Sequence, residues 1–264
     1  MFGTFKSALF AGILGAMALA PVAATADQLT EILDKGTIVI GVPENFPPFG
    51  SVGASFEHEG YDVDIAKLIA EDLGVELELK PITSKQRIPF LTSGTVDLVV
   101  SSMGANPERA KSVWFSSAYA PFFSGAFAAP DVDVSSPKDL AGLKAGVTGG
   151  TIEDLELSKA LPEGAELIRF GDNAATLSAY LAGQVDVLVT GNTVAAKLAA
   201  NNPDQSLETK FVVRQSPAFI GVKSGEANML QWVNVFVLHK KLGGVLNELS
   251  LKWLGQELPD LPSL

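Results

Sequence analysis

The chain has 264 residues and a formal net charge of −11 at pH 7, from 19 Lys and Arg against 30 Asp and Glu. This acidic balance, without any basic run, argues against nucleic acid or an anionic membrane surface as a partner. The sequence has no cysteine, which excludes disulfides, thiolate metal sites and a Cys nucleophile, and its two histidines, His58 and His239, lie far apart. We therefore expect no metal and no other cofactor.

The N-terminal residues have the pattern of a secretory signal. Lys6 precedes an apolar stretch from Ala8 to Ala20, and Ala24-Thr25-Ala26 is an A-x-A cleavage pattern. The apolar stretch is too short to span a bilayer, and no second long apolar run follows it. The sequence predicts a signal peptide over residues 1–26, export and no direct membrane insertion; an uncleaved anchor is the alternative.

After the predicted signal, short β-rich runs alternate with helical patterns. The candidate strands are Thr37–Val42, Val75–Lys80, Val96–Val100, Lys144–Thr148, Glu166–Phe170, Val185–Val189 and Phe219–Val222. Asp62 is predicted to cap a helix that ends at Gly74. Strands that alternate with helices predict an α/β fold with mostly parallel sheets.

Two segments of the chain are similar to each other. Each follows a helical pattern, has a glycine before a short apolar strand, and ends at a hydroxyl residue: Ser93 to Ser101 and Ala182 to Thr190. This echo predicts two similar α/β lobes that face each other across a cleft, since ligands of open α/β sheets bind beyond the strand ends. The alternative is the coincidence of a common helix–glycine–strand connector.

Composition changes at two junctions. Residues 121–130 are rich in Phe, Ala and Gly. A second change comes at residues 214–217, just before the strand candidate Phe219–Val222. We predict that the segment from Phe219, with an apolar helix around Leu230–Leu238, returns to the first lobe, so that two strands form a hinge. The predicted domains are lobe 1 over residues 27–126 and 217–264, and lobe 2 over residues 127–216.

Several motifs occur in a fixed order along the chain. They are Gly60–Ala66 with Leu73-Gly74, Arg87–Leu91 with Ser93–Asp97, Asn106–Arg109 with Phe115-Ser116, Asp139–Gly142 with Gly146-Val147 and Gly150-Thr151, and the closing Lys252–Gly255. As an ordered set they resemble the family-3 solute-binding proteins of ABC importers, in the polar amino-acid group. The resemblance implies a periplasmic two-lobe clamshell (type II), each lobe a mostly parallel sheet flanked by helices. Such a protein, as a monomer, binds a small amino acid or related carboxylate and delivers it to an ABC permease in the inner membrane.

Arg109 is the leading candidate for ligand binding. Asn106 is predicted to cap a helix and Pro107 suits its first position, which puts Arg109 near unpaired backbone N–H groups. A guanidinium binds a carboxylate through two parallel hydrogen bonds, and the resemblance implies that Arg109 holds the ligand's α-carboxylate. Without the resemblance, a surface ion pair with Glu108 is the simpler interpretation.

Small residues flank this arginine and recur in the second lobe. Ser101, Ser102 and Gly104 form the loop before Arg109, where backbone groups and hydroxyls would contact the ligand; many relatives have threonine in place of Gly104. In lobe 2, Thr148, Gly150 and Thr151 form a strand-to-helix turn of the kind that binds anions. An ordinary tight turn is the alternative there.

The candidate contacts for the ligand's side chain, Phe46 and Arg87, both lie in the predicted first lobe. The resemblance implies that Phe46 stacks on the aliphatic part of the ligand, although it could equally be a core residue. Relatives often have a second aromatic residue near Ser84, which this chain lacks. Arg87 lies in that region and is a candidate partner for an acidic or amide ligand side chain, or else a surface arginine at a helix start.

The ligand's ammonium has no obvious partner in the sequence. Many amino-acid binders have an aspartate at the strand end that corresponds to Thr190-Gly191-Asn192, and this chain has none. An uncompensated buried ammonium would cost several kcal/mol. Glu44 is the predicted source of charge, with Asn192 and backbone carbonyls helping; otherwise the ligand is not an ordinary α-amino acid.

Two other functions compete with transport. Some relatives are periplasmic dehydratases of the cyclohexadienyl type, and such catalysis needs a positioned acid or base in the cleft. Glu44 is the only cleft acid that the sequence places, so we expect no catalytic residues and no enzyme. A detached sensor domain is the third interpretation, and it is not favoured because no membrane segment follows residue 264.

Overall fold

The structure is a computed structural model that describes Gly3 and residues 27–262. The predicted signal peptide therefore lies, except for Gly3, outside the described residues. The strands in chain order are β1 Thr37–Pro43, β2 Ser51–Val52, β3 His58–Glu59, β4 Glu76–Ile82, β5 Leu98–Met103, β6 Val113–Ala120, β7 Phe123–Ala128, β8 Lys144–Thr148, β9 Glu166–Phe170, β10 Val187–Gly191, β11 Glu208–Gln215 and β12 Ala218–Lys223. The α-helices are α1 Gln28–Lys35, α2 Tyr61–Leu73, α3 Arg87–Ser93, α4 Ile152–Ala160, α5 Asn173–Leu181, α6 Asn192–Asn201, α7 Ala227–Leu242 and α8 Val245–Leu254.

Two five-stranded sheets form the framework, and they have the same plan. The first has the order β4-β1-β5-β12-β6 and the second has the order β9-β8-β10-β7-β11. In each sheet the first three strands are parallel and the fourth is antiparallel to both of its neighbours. Each sheet thus has one reversed strand, and the predicted α/β two-lobe fold with mostly parallel sheets is confirmed.

Helices cover both sheets. Helices α1, α2, α3, α7 and α8 pack with the first sheet, and helices α4, α5 and α6 pack with the second. We call the first sheet with its helices the first lobe, and the second sheet with its helices the second lobe. Separate apolar clusters fill them, one centred on residues such as Ile38, Ile65 and Val233, another on Val147, Leu157 and Val187.

The sequence echo corresponds to equivalent positions in the two sheets. Asp97, just before β5, accepts a hydrogen bond from the Val39 amide through its carboxylate (2.8 Å) and donates its own amide to the Val39 carbonyl (2.8 Å). Asp186, just before β10, makes the same pair of bonds with Lys144, again at 2.8 Å each. The echo therefore encodes a repeated strand junction and not a chance similarity.

Two crossings join the lobes. The chain passes from β6 to β7 through Pro121-Phe122 and returns from β11 to β12 through Ser216-Pro217. The two crossings contact each other, since the Ser216 amide donates to the Phe122 carbonyl at 3.2 Å. Strand β12 and helix α7 lie on the first sheet, as predicted for the segment from Phe219. The exact domain boundaries at residues 126 and 216 stay a prediction.

Two local predictions were wrong. The N-cap of α2 is Gly60, and Asp62 is instead buried within the first turn. The helix predicted after Asn106 is only a single 3₁₀ turn, Arg109–Lys111, although the Asn106 side chain does accept a hydrogen bond from the Arg109 amide (2.8 Å). The two-residue strands β2 and β3 and the longer strands β6, β7 and β11 were missed, the longer ones because their sequences lack a regular period-2 alternation of apolar and polar residues.

Candidate functional site

A small cavity of about 10 Å³ lies between the lobes. We call it the interlobe cavity. Its lining residues are Phe46, Arg87, Ser102, Gly104 and Arg109 from the first lobe, Phe122 from a crossing, and Thr151, Ile152 and Glu153 from the second lobe. Six of these were predicted ligand contacts, so the fold brings together the ends of β1 and β5, the start of α3 and the start of α4.

Arg109 bridges the two lobes. Its Nη1 donates to the Gly104 carbonyl at 2.7 Å, and its Nη2 donates to the Gly150 carbonyl of the second lobe at 2.9 Å. Burial lowers the pKa of the guanidinium, and the nearby Glu153 and Glu156 carboxylates oppose that shift. It forms no ion pair with Glu108, which pairs with Lys111 instead. The arginine therefore lies where a bound ligand would connect the lobes.

Arg87 is buried beside Arg109 with fewer protein partners. Its Nε donates to Ser101 Oγ at 3.1 Å, which is the only hydrogen bond of its side chain to the part of the chain that the structure describes. Burial and the neighbouring Arg109 lower its pKa to about 10. Glu153 and Asp62 act on this pKa in the opposite direction, but neither carboxylate forms an ion pair with Arg87 within 4.0 Å, so the buried guanidinium indicates a place for a directly bonded anion.

A larger cavity shares these two arginines. It has a volume of about 350 Å³ and also contains Ser84, Lys85 and Gly150 in its lining. The Lys85 side chain passes so close to Gly149 that a Cβ there would lie 2.6 Å from the Lys85 Cε. The space beside the interlobe cavity is therefore lined with three cationic side chains from the first lobe.

Ser102 combines backbone strain with an unused hydroxyl. Its φ of 39° is in the left-handed region, which is unfavourable for a residue with a Cβ. Its amide donates to the Tyr119 hydroxyl at 3.1 Å, and its buried Oγ has no hydrogen-bond partner among the described residues. A strained residue with a free hydroxyl in the cavity lining is typical of a ligand contact.

Behind Ser102 lies a buried polar network that the sequence did not reveal. The Tyr119 hydroxyl donates to Asp62 Oδ1 at 2.6 Å, and the Tyr61 hydroxyl donates to the Tyr119 carbonyl at 2.9 Å. Burial raises the pKa of Asp62 to about 7, although Tyr119 and Arg87 act in the opposite direction. The network fixes the strand end that carries Ser101 and Ser102.

The three predicted contacts around the β8–α4 turn of the second lobe differ in their position relative to the interlobe cavity. Thr151 is the N-cap of α4, its Oγ1 accepting from the Asp154 amide at 3.3 Å, and it lines the interlobe cavity. Gly150, with φ +82°, turns its carbonyl toward Arg109. Thr148 is buried, and its hydroxyl pairs with that of Thr176 at 2.7 Å. Thr148 therefore lies behind the cavity lining and is not part of it.

Glu153 and Phe122 are cavity residues that sequence reasoning missed. Glu153 is 3 % exposed, its Oε2 accepts a hydrogen bond from Ser124 Oγ at 2.9 Å, and burial raises its pKa. A signal was present, because Glu153 lies two residues after Thr151, in the first turn of the helix that the Gly150-Thr151 turn begins. Nothing in the sequence indicates that Phe122, in the first crossing, would face the cavity.

Phe46 lines the interlobe cavity, whereas the predicted contacts Glu44 and Asn192 lie outside its lining. The ring of Phe46 stacks on Phe49 with centroids 5.9 Å apart. Glu44 is exposed and lines a separate small cavity with Arg87 and Asn173. Asn192 Oδ1 accepts from the Phe123 amide at 3.1 Å, and the residue lines another cavity of about 360 Å³.

Two glycines have steric reasons to be glycine. A Cβ at position 104 would collide with Ser216 Oγ and lie 2.9 Å from the Ile152 Cδ1, so a larger residue there would require both side chains to shift. A Cβ at position 191 would collide with the Phe122 ring. The space that an acidic side chain at the end of β10 would need is therefore occupied by Phe122.

Neither a membrane helix nor a metal cluster is found in the described part of the chain. None of its helices is both long and apolar enough to cross a membrane. No group of three or more His, Asp or Glu side chains is arranged there to hold a metal ion.

Comparisons with known proteins match nearly the whole chain. The profile of the bacterial extracellular solute-binding proteins, family 3, matches residues 38–256. The ABC transporter glutamine-binding protein GlnH of Bacillus subtilis (strain 168) is 32% identical over 236 residues, which cover 88% of this chain and 86% of GlnH. The L-cystine-binding protein TcyJ of Escherichia coli (strain K12) is 26% identical over 257 residues, covering 93% of this chain and 96% of TcyJ.

A solved structure has the same fold. The crystal structure of a mutant of ArgBP from T. maritima superposes with a TM-score of 0.81 at 30% identity, covering 87% of this chain and all of that one (100%). Both curated relatives are binding proteins by name, and they differ from each other in the ligand that the name gives.

Proposed function

The chain belongs to the bacterial extracellular solute-binding proteins, family 3, and from this premise we propose that it binds an amino acid or related small carboxylate in the cleft between its lobes. It is the substrate-binding component of an ABC transporter and not an enzyme. We further propose that it is exported after cleavage at Ala26, acts in the periplasm as a monomer, and delivers its ligand to a permease of the inner membrane.

The observation that supports a carboxylate ligand is the pair of buried guanidinium groups. Each arginine has five N–H donors. The described hydrogen bonds of the side chain use two donors of Arg109 and one of Arg87. Both arginines are buried and line the interlobe cavity, and charge-assisted hydrogen bonds to a carboxylate are strong at buried positions. Ser102 Oγ and the start of α4 add further polar groups to the same cavity.

Ligand binding is proposed to act through lobe closure. Groups of the first lobe (Arg87, Arg109) and of the second (Thr151, Glu153) meet only when the lobes are together. A ligand that contacts both sets shifts the population toward the closed form, because it binds that form more tightly. The closed form is the one presented to the permease.

Isothermal titration calorimetry of the mature protein against the common L-amino acids tests the ligand class. We expect one-site binding of at least one of them, together with a ligand-dependent rise in melting temperature. Arg109→Lys is expected to weaken that binding by about 30-fold or more, because a buried charge pair loses its bidentate geometry. Arg214→Lys, an exposed arginine on β11, is the matched control and should bind like the wild type.

Two outcomes would contradict the proposal. Absence of both heat and melting shift with every amino acid would remove the amino-acid ligand. Conversion of a bound acid into a product would identify an enzyme instead.

A further inference from the structure

We propose that Glu153 accepts the ammonium group of the bound ligand, and that the ligand is therefore an α-amino acid in its zwitterionic form. This inference rests on the proposed function, because it assigns a second ligand group within the same cleft. Glu153 takes the place of the exposed Glu44 and of the end of β10, which were the ammonium partners predicted from the sequence.

The end of β10 offers no acidic partner in this fold. Gly191 lies against the Phe122 ring, and even a single Cβ there would collide with it. The side-chain oxygen of Asn192 is already bonded to the Phe123 amide at 3.1 Å, where it ties the start of α6 to β7. Packing at the crossing has thus removed the site for a carboxylate at this strand end.

Glu153 supplies a carboxylate at another point of the same cavity. It lies in the first turn of α4, lines the interlobe cavity together with Phe122, and is only 3 % exposed. It forms no ion pair within 4.0 Å with any lysine or arginine of the described residues. A carboxylate has about four acceptor sites, and Ser124 Oγ occupies one of them.

The charges across the cavity are arranged for a zwitterion. The first lobe contributes two guanidinium groups and the second lobe contributes the Glu153 carboxylate. Arg87 and Arg109 act on the Glu153 carboxylate through space, but neither forms an ion pair with it within 4.0 Å, so an incoming ammonium would add a directly bonded cation. Ser102, whose buried Oγ has no partner among the described residues, lines the same cavity and offers a further acceptor. Glu44 is exposed and remains hydrated, which makes it the weaker acceptor.

The test compares an amino acid with its deaminated counterpart. The ligand pair is the amino acid that binds most tightly in the calorimetric panel and the carboxylic acid that lacks only its α-amino group. Each is titrated into the wild type, Glu153→Gln, and Glu163→Gln, a matched control at an exposed position of the second lobe just after α4. Melting curves confirm that each variant is folded.

The wild type and the control are expected to prefer the amino acid by about 30-fold or more, the loss typical of an unpaired buried charge. In Glu153→Gln the preference for the amino acid should fall to about threefold or less. The deaminated acid should bind this variant at least as tightly as it binds the wild type, because the variant has no Glu153 carboxylate to be left unpaired. This pattern distinguishes an ammonium acceptor from a residue that only stabilises α4.

Three results would overturn the assignment while leaving the proposed function intact. They are an equal loss of both ligands in Glu153→Gln, an unchanged preference in that variant, or a wild type that binds the deaminated acid equally well. If Glu153→Gln does not fold, Glu153→Asp retracts the carboxylate by one methylene and is judged by the same criterion, a selective loss of the amino acid. A wild type that binds no amino acid at all contradicts the proposed function itself.

Discussion

Two arginines that the sequence singled out have different surroundings in the fold. Arg109 has its terminal nitrogens on the carbonyls of Gly104 and Gly150, whereas the side chain of Arg87 donates, among the described residues, only through Nε to Ser101. The sequence motif identified both as cations near a ligand. It could not show that one bridges the lobes and that the other presents its terminal nitrogens to the cavity, because those partners come from distant segments.

Asp62 leads to a prediction about pH and stability. Burial raises the pKa of its carboxyl from 3.8 to about 7 in the folded protein. Below pH ~4 the group is protonated in both states and costs nothing. As pH rises toward 7, ionisation favours the unfolded chain, so the free energy of unfolding should fall by up to about 4 kcal/mol from this group alone.

Asp62→Asn is expected to remove that decline, because an amide keeps the acceptor for the Tyr119 hydroxyl and cannot ionise. Urea denaturation of both proteins at several pH values between 4 and 8 measures it. Asp34→Asn, at an exposed position of α1, is the control and should follow the wild-type profile. An equally steep decline in Asp62→Asn would show that other groups carry the pH dependence.

Among the secondary-structure elements, the central strands β5 and β10 show how one pattern serves two lobes. Both begin after an aspartate that bonds the neighbouring strand through backbone and carboxylate. Their ends then diverge. Strand β5 ends in the strained Ser102, and β10 ends at Gly191 beneath the Phe122 ring. The common part of the pattern builds the sheet, and the different ends determine which polar groups face the cavity.

The contact between β10 and the first crossing can be tested by overpacking. Gly191→Ala is expected to lower the free energy of unfolding by about 1–3 kcal/mol, because its Cβ meets the Phe122 ring although the backbone φ of −73° suits alanine. In a Phe122→Leu background, which lacks the colliding ring atoms, the same change should cost little. Urea denaturation of the four proteins of this cycle gives the coupling.

Gly171→Ala is the control for that cycle, since an added Cβ there meets no atom within 4 Å. A cost of Gly191→Ala that is the same in both backgrounds would contradict the steric explanation.

At the scale of the whole molecule, direct hydrogen bonds hold the lobes together in addition to any ligand. Asn173 Nδ2, at the start of α5, donates to the Asn45 carbonyl of the first lobe at 3.0 Å, and Arg109 Nη2 donates to Gly150 at 2.9 Å. Both bonds join the first lobe to the second, so opening of the cleft would break them. We therefore expect the Asn173–Asn45 bond to contribute to ligand affinity through the closure equilibrium without contacting the ligand.

Asn173→Ala is expected to weaken ligand binding by roughly 3- to 10-fold, the effect of one hydrogen bond of about 1 kcal/mol. Small-angle X-ray scattering should show a larger radius of gyration at a ligand concentration that closes the wild type. Asn202→Ala removes a similar bond, from Nδ2 to the Leu198 carbonyl at 2.9 Å, within the second lobe, and should change neither quantity. Unchanged affinity in Asn173→Ala would show that this contact does not contribute to closure.

The local pattern of the sequence determined most of the framework. Hydrophobic runs gave seven of the strands, and glycines marked helix ends such as Gly74 and Gly94, because strand and helix periodicity depend on neighbours in sequence. The ordered motifs indicated the family, the two-lobe fold and the residues Arg109, Arg87, Ser102 and Thr151 of the cavity. These are features that a short segment carries by itself.

Only the tertiary structure decided how the charges of the site are balanced. Glu153 and Phe122 enter the cavity because α4 and the first crossing are brought against β5, and Asp62 leaves its predicted capping position to meet Tyr119 from another strand. Burial, pKa and steric exclusion depend on what surrounds a group in space, and those surroundings come from segments far apart in the chain. The sequence therefore determined which residues could bind a ligand, and the packing of the two lobes decided which of them face it.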